Sequence, residues 1–275
     1  MNSKTATILG RVFLGIVAVI FIFPFIVSVL LSFKTKQETA KNVLALPEAL
    51  HIENYTEAMA KANILHSMGN SIIVTAVSVI LVIIVASMAG YAIGRQYHKK
   101  SYKTYESILT AAMMIPFQTL MIPIYRMYRD MGLLNTLPGV IILIAGTNMP
   151  FAIMMYIGFV RTLPIELEEA AMLEGCGKWR IFFQVIFPLL KPTTVTIAVL
   201  DALWAWNDFN ASLIVLQKDA VKTVPMQQYV FFGEHSADYN MAFAAAVIGM
   251  IPVMIFFLFM QKHIQEGMTA GAVKG

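Results

Sequence analysis

Long charge-free runs separated by short polar segments dominate the chain. The first, Val12 to Phe33, has 22 residues and would be roughly 33 Å long as a helix at 1.5 Å per residue. That length covers a bilayer core of about 30 Å. Further runs are Met68 to Gly94, Ser107 to Tyr125, a stretch within Met131 to Val160, and Tyr239 to Gln261. Between Pro192 and Leu216 lies another apolar segment, interrupted by Asp201 and Asp208. Backbone polar groups in lipid must be satisfied within the segment, so these runs predict helices. None shows the period-two alternation of barrel strands. The pattern predicts an all-α polytopic membrane protein with six spans, over 12–33, 68–94, 107–125, 137–160, 193–215 and 239–261. The first run exceeds the 7–15 apolar residues of a signal-peptide core. Lys34, Thr35 and Lys36 follow it with no small-x-small cleavage site, so it predicts a retained helix. Pro24, Pro116, Pro123, Pro150 and Pro252 lie in or beside spans and predict kinks.

Composition agrees with this reading. Of the 275 residues, 58% are hydrophobic and 13% charged, against about 45–50% and about 25% in soluble domains. The mean hydropathy is +0.70. An ordinary soluble enzyme and a disordered chain are disfavoured. The net charge of +4 is too small and scattered for nucleic-acid binding. The single cysteine, Cys176, forms no intrachain disulfide, and the five histidines are too dispersed for a metal motif. With the N-terminus inside, inner segments carry twelve Lys and Arg and outer loops eight. That bias places both termini in the cytoplasm. No run of soluble sequence is long enough for a second domain.

The segment from Arg161 to Pro192 is longer than a connection requires, and it reads as helical. Thr162 can cap a helix with Pro164 in its first turn. Glu166, Glu168 and Glu169 would sit near the positive end of its dipole. Leu163, Leu167, Ala170, Ala171 and Glu174 fall on one face. Gly175 or Gly177 could supply a left-handed stop. A second amphipathic piece, Trp179 to Phe187, ends at Pro188. Such a helix could lie on lipid, although that class is normally basic. It could instead dock into a partner, with Ala170 and Ala171 allowing close approach and the carboxylates giving register.

Glu169-Ala170-Ala171, three residues, Gly175, and then Pro188 have the spacing of the EAA signature of ABC importer permeases. Val185 and Phe187 stand where Ile and Leu are usual. The chain resembles the carbohydrate-uptake, maltose-type branch. Ala89-Gly90-Tyr91-Ala92 with Arg95, Met114-Ile115-Pro116, Gly132-Leu133-Leu134-Asn135-Thr136, Trp206-Asn207-Asp208-Phe209, Thr223-Val224-Pro225 and the glycine-spaced ending 267–275 follow in that branch's order. The resemblance implies the type I importer permease fold in the bacterial plasma membrane. It implies a second, non-identical permease subunit, two ATP-binding subunits and an extracellular sugar-binding protein as partners. The loop 162–190 would then be the coupling-helix loop, contacting the ATPase through Glu169, Ala170, Ala171, Glu174, Gly175 and Pro188. The tail 262–275 would reach the ATPase pair through Gly267, Gly271, Lys274 and Gly275, unless it is a frayed terminus. The chain itself lacks a P-loop. Before Gly177-Lys178 the first glycine position is Met172, and Trp179 follows the lysine. It is expected to bind no cofactor and to leave ATP and Mg to the partner.

Sugars are held by polar groups and aromatic faces in concave sites. Asp201, Trp204, Asn207 and Asp208 in the fifth span, and Asn148 in the fourth, are the candidates for the substrate path. An acid at bilayer depth faces protein or a water-filled cavity, although Asp208 could instead pair locally near an interface. The expected cargo is an oligosaccharide of multiple-sugar or raffinose type, with glycerol phosphate or another polyol-like solute as the alternative. An ion-driven transporter would need a relay of several intramembrane ionisable groups, and an intramembrane hydrolase a buried nucleophile and base. Neither pattern is present.

Overall fold

The computed structural model describes residues 3–232 and 238–272. Among them there is no β-strand. In chain order the helices are α1 (Ser3–Ser32), α2 (Lys36–Lys41), α3 (Glu53–Lys61), α4 (Ile64–Arg95), α5 (Lys100–Met113), α6 (Phe117–Asp130), α7 (Leu137–Val160), α8 (Glu166–Leu173), α9 (Lys178–Ile181), α10 (Phe187–Leu189), α11 (Lys191–Trp206), α12 (Asn210–Val215), α13 (Val224–Gln228) and α14 (Tyr239–Ala272). A π-helical turn, Phe182–Ile186, joins α9 to α10.

Among the described residues, four stretches are long and apolar enough to cross a membrane: Leu9–Ser32, Ile64–Arg95, Leu137–Val160 and Tyr239–Lys262. Two more spans arise only as broken pairs. Lys100–Met113 and Phe117–Asp130 meet at 97°, and Lys178–Leu189 and Lys191–Trp206 meet at 74°. The predicted third span, 107–125, is therefore not one helix. Pro116 N-caps α6 with extended backbone, lacks an N–H to continue α5, and restricts the residue before it. The predicted fifth span, 193–215, also breaks. Its helix starts at Lys191 with Pro192 in the first turn, stops at Trp206 and resumes as the separate α12. Pro24, Pro123, Pro150 and Pro252 stay inside continuous helices. Beyond the spanning stretch, which ends at Lys262, α14 continues and carries Gly267 and Gly271 as far as Ala272. Lys274 and Gly275 lie outside the described residues.

The chain divides into two compact units, Met1–His66 with Gln227–Pro252, and Ser67–Met226 with Val253–Gly275. In the first, only 6% of the spanning window of α1 is buried. The segment after it is closely built. Lys34 is fully buried, and its Nζ donates to the carbonyls of Asn42 (2.8 Å) and Val43 (3.1 Å). Thr35 and Glu38 form a capping box at the start of α2. The Glu38 carboxylate accepts from the backbone N–H of Thr35 (2.6 Å) and of Glu48 (2.7 Å). Those two bonds hold its carboxyl at about 2 instead of 4.5. Asn240 donates to the Leu31 carbonyl (2.8 Å) and to Thr39 Oγ1 (2.9 Å), tying the start of α14 to this segment.

The second unit is organised on α7. Thr136 N-caps it by accepting from Gly139 N–H (3.1 Å). Just before, Asn135 takes a positive φ of 58°, which Asn tolerates better than most residues. Its Oδ1 accepts from Gln217 and Lys218 N–H, both at 2.8 Å. Asn70 and Ser71 of α4 bind Lys222 and Val224 backbone, so Thr223-Val224-Pro225 is fastened to that helix. Near their C-terminal ends, α4 lies directly against α7. A Cβ added at Gly90 would overlap Tyr156 Cβ, and one at Gly94 would lie 2.9 Å from Val160 Cγ1. Glycines spaced four apart let two backbones approach in the manner of membrane helix pairs. Around this contact Ala86, Ile153, Tyr156, Ile157, Val160, Ile181, Phe182, Ile186 and Leu190 form a dry cluster.

Two outcomes are expected. Gly90→Ala should cost about 1–3 kcal/mol by overpacking and lower the thermal unfolding temperature in detergent. Gly146→Ala on the same α7, where an added Cβ meets nothing, should not lower it. The Glu38 bonds stabilise the folded segment above pH 4.5 and lose that effect as pH falls toward about 2. Hydrogen-exchange protection at Thr35 and Glu48, taken relative to the intrinsic rate at each pH, should therefore fall across that window, whereas in Glu38→Gln it should be low and nearly independent of pH there.

Candidate functional site

The connection between α7 and α11 is where motif and geometry meet. Helix α8 is short and carries Glu166, Glu168 and Glu169 in its first turn. Of the three, only Glu168 turns inward, at 4% exposure. It is held from two sides by one face of α4. Arg95 Nε pairs with Glu168 Oε1 at 2.5 Å, and Tyr91 Oη donates to Glu168 Oε2 at 2.6 Å. Tyr91 and Arg95 are one helical turn apart, so both reach the same carboxylate. The Arg95 guanidinium also donates from Nη1 to the carbonyls of Val160 (3.1 Å) and Leu163 (2.8 Å). These carbonyls sit at and just beyond the end of α7, where a helix leaves acceptors unpaired. One side chain thus joins α4, the end of α7 and α8. The Tyr91 ring rests on Phe182 at 5.4 Å between centroids.

A second arginine works nearby. Arg161 pairs with Glu106 of α5 (2.8 Å), and its guanidinium carbon lies 3.3 Å from the centroid of the Tyr97 ring.

The end of α8 explains the motif glycine. Gly175 has φ +78°. Its N–H donates to Met172 carbonyl (3.0 Å), and Cys176 N–H donates to Ala171 carbonyl (3.0 Å). These two bonds make a complete Schellman stop, which needs a left-handed residue at this position. Ala171 and Cys176 then pack on the cluster around Tyr156. Glu169, Ala170, Met172, Leu173 and Glu174 remain exposed, Leu173 at 90%. Beyond the stop, Trp179 and Phe183 stack on an outer face with centroids 6.2 Å apart.

Several expectations need correcting. Thr162 does not cap α8. Its hydroxyl donates to the Phe159 carbonyl (2.8 Å), and α8 begins only at Glu166, with Ile165 as its N-cap. Leu167 and Ala170 do not share a buried face, because the inward position is taken by Glu168. Gly177 is not the left-handed stop, since its φ is −74°. Pro188 does not end the following helix. It lies in the first turn of α10, where its missing N–H is harmless. Sequence reading also missed the role of Arg95, Tyr91 and Glu168. The available signal was a lone arginine at a span end, one turn after a tyrosine.

The substrate-path candidates differ in their surroundings. Asp201 is buried at 1% exposure, with neither carboxylate oxygen hydrogen-bonded. Trp204 is half exposed and packs edge-on against Phe151 (5.0 Å). Asn207 is exposed and donates to the Leu203 carbonyl (2.8 Å). Asp208 accepts from the N–H groups of Ala211 (3.3 Å) and Ser212 (2.9 Å), so its structural work is to begin α12. Asn148 is half-buried in α7.

Comparison with known proteins agrees with the motif. A probable starch degradation products transport system permease protein, AmyC, of Thermoanaerobacterium thermosulfurigenes is 37% identical over 95% of each chain. A melibiose/raffinose/stachyose import permease protein, MelC, of Bacillus subtilis is 36% identical over 95% of this chain and 94% of its own. A multiple sugar-binding transport system permease protein, MsmG, of Streptococcus mutans is 35% identical over 96% and 95%. The fold matches a chain of the crystal structure of a bacterial ABC transporter involved in import of the acidic polysaccharide alginate. The TM-score is 0.80, at 23% identity, over 95% of this chain and 97% of that one. Residues 83–270 match the family described as binding-protein-dependent transport system inner membrane component. The chain belongs to that family, as a multi-pass permease of the inner membrane.

Proposed function

We propose that this chain is one of two dissimilar permease subunits of an ATP-driven importer of oligosaccharides, with both termini in the cytoplasm and α8 as the helix that couples it to an ATPase subunit. The carrying observation is the split use of adjacent acids on α8. Glu168 is consumed inside the chain, whereas Glu169 and Ala170 stay on its open face. A helix fixed from behind and open in front suits docking into a cleft. Its small residues allow close approach, and its carboxylate offers an anchor to a cationic partner. The starch-product, raffinose-series and multiple-sugar names of the relatives support an oligosaccharide cargo. The extracellular partner would be a sugar-binding protein that does much of the selecting. Two ATP-binding subunits would bind and hydrolyse ATP with Mg, closing and opening to switch the pathway between its two faces. The end of α14 and the residues after it, with Gly267, Gly271, Lys274 and Gly275, would approach the same partners.

Within the pathway reading, Asp201 and Asp208 do not stand equally. Asp208 is occupied in starting α12. Asp201 lacks a partner, a costly state for a buried carboxylate. It is the residue of the two that a change of conformation would bring to solute or water.

Glu169→Ala should leave membrane insertion intact, weaken association with the ATPase about tenfold or more through loss of a charge-assisted bond, and abolish sugar uptake. Gly175→Leu should do the same by straining the stop at φ +78°. Co-purification from native membrane checks association, and uptake of labelled oligosaccharide checks function. Normal uptake in both variants would refute the coupling role of α8.

A further inference from the structure

Arg95 holds more than an ion pair. Its guanidinium takes the Glu168 carboxylate on Nε and the Val160 and Leu163 carbonyls on Nη1. The covalent path from α7 to α8 is the segment from Arg161 to Ile165, whose residues are mostly exposed. By itself that path would leave the first turn of α8, the end away from the packed Ala171 and Cys176, free to swing about the end of α7. The guanidinium bridges it. Its planar fork is suited to holding a carboxylate and carbonyl oxygens together, a task a lysine point charge does poorly. The side chains of Arg95 and Glu168 are 13% and 5% exposed, so neither charge can separate into water without loss of its partner in a poorly solvated place. Tyr91 adds a second hold on the same carboxylate, and its ring is backed by Phe182.

We infer that Arg95 is a positioning residue that converts α8 from a hinged loop element into a rigid extension of α4 and α7, so that a displacement of α8 is delivered directly to these two membrane helices. The inference rests on α8 being the ATPase-coupling helix. It adds the route by which the motion passes into the membrane: along α4 through Arg95 and Tyr91, as well as along the chain into α7. Docking of the ATPase uses the open face of α8. Transmission uses its buried face, so the two are separable by mutation.

The test is made on the assembled transporter with its binding protein, in liposomes. Sugar moved per ATP hydrolysed is measured alongside co-purification of the ATPase and the thermal unfolding temperature. In Arg95→Lys and Arg95→Gln the ATPase should still co-purify and hydrolyse ATP. The sugar moved per ATP should fall about tenfold or more, the change expected when a charge-assisted bond is lost from a buried site. Tyr91→Phe keeps the ring on Phe182, removes one bond to Glu168 and should give a smaller fall. Glu168→Gln combined with Arg95→Gln should be no worse than the worse single variant, because both act on one contact. Wild-type sugar per ATP in Arg95→Gln overturns the inference. If that variant fails to assemble, Tyr91→Phe and Glu168→Gln decide, and an unchanged ratio in both overturns it. Glu169→Ala run in parallel separates the two failures. Blocked uptake there with normal coupling in the Arg95 variants removes only the transmission role. Normal uptake and ATPase association in Glu169→Ala removes the coupling helix itself.

Discussion

Helices α4 and α7 pack so closely that an added Cβ would overlap Tyr156 Cβ at Gly90 and crowd Val160 Cγ1 at Gly94, and the loop that follows α7 is built on this contact. Because the helices are so close, the end of α4 stops beside the last carbonyls of α7, and the Arg95 side chain spans the remaining gap. Arg95 then fixes Glu168, Glu168 fixes the rotation of α8, and that rotation decides which residues of the signature face outward. In lipid, helices gain little from burying apolar surface against one another, so packing at small residues does the joining. The chain uses two glycines for specificity of approach and one arginine for specificity of direction.

Much of this was legible in the residues, and the failures have physical causes. The run 137–160 appears as α7 with those very limits, because Thr136 caps it and its body holds no charge. The third and fifth runs are each interrupted, and counting apolar residues shows neither break: Pro116 breaks the third, and in the fifth the chain leaves α11 after Trp206 and Asp208 starts α12. Pro116 turns the path by 97° within a run that is apolar on both sides. The signature itself was found by spacing, and Gly175 shows why spacing is informative there: a Schellman stop tolerates few other residues. The three adjacent acids were not resolved. A helical wheel finds the face with apolar residues and turns it inward. Here the inward position of α8 belongs to a glutamate, because α4 presents an arginine and a tyrosine to it. That preference is set by a helix about seventy positions earlier in the chain, and local periodicity carries no trace of it.

The acids in the fifth span make a similar point. Asp201 and Asp208 look alike in sequence, two carboxylates in an apolar segment one helical repeat apart. In the structure one begins a short helix and the other is sealed without a partner. What separates them is the break after Trp206, which gives Asp208 free N–H groups to accept from and leaves Asp201 in the middle of a helix whose own N–H groups are already used.

The sealed position of Asp201 has a consequence for how the protein is made. Helix α11 has 16 residues, fewer than the about 20 that span a bilayer unaided. An acid near its middle opposes entry into lipid by about 2.5–3.5 kcal/mol. On its own, such a segment is a poor guest in a membrane. Its contacts with α7, including the hydrogen bond between Tyr156 and Thr194, are what make it acceptable. Biogenesis of this chain therefore has an order: α7 must already be in place before α11 can leave the insertion machinery and stay.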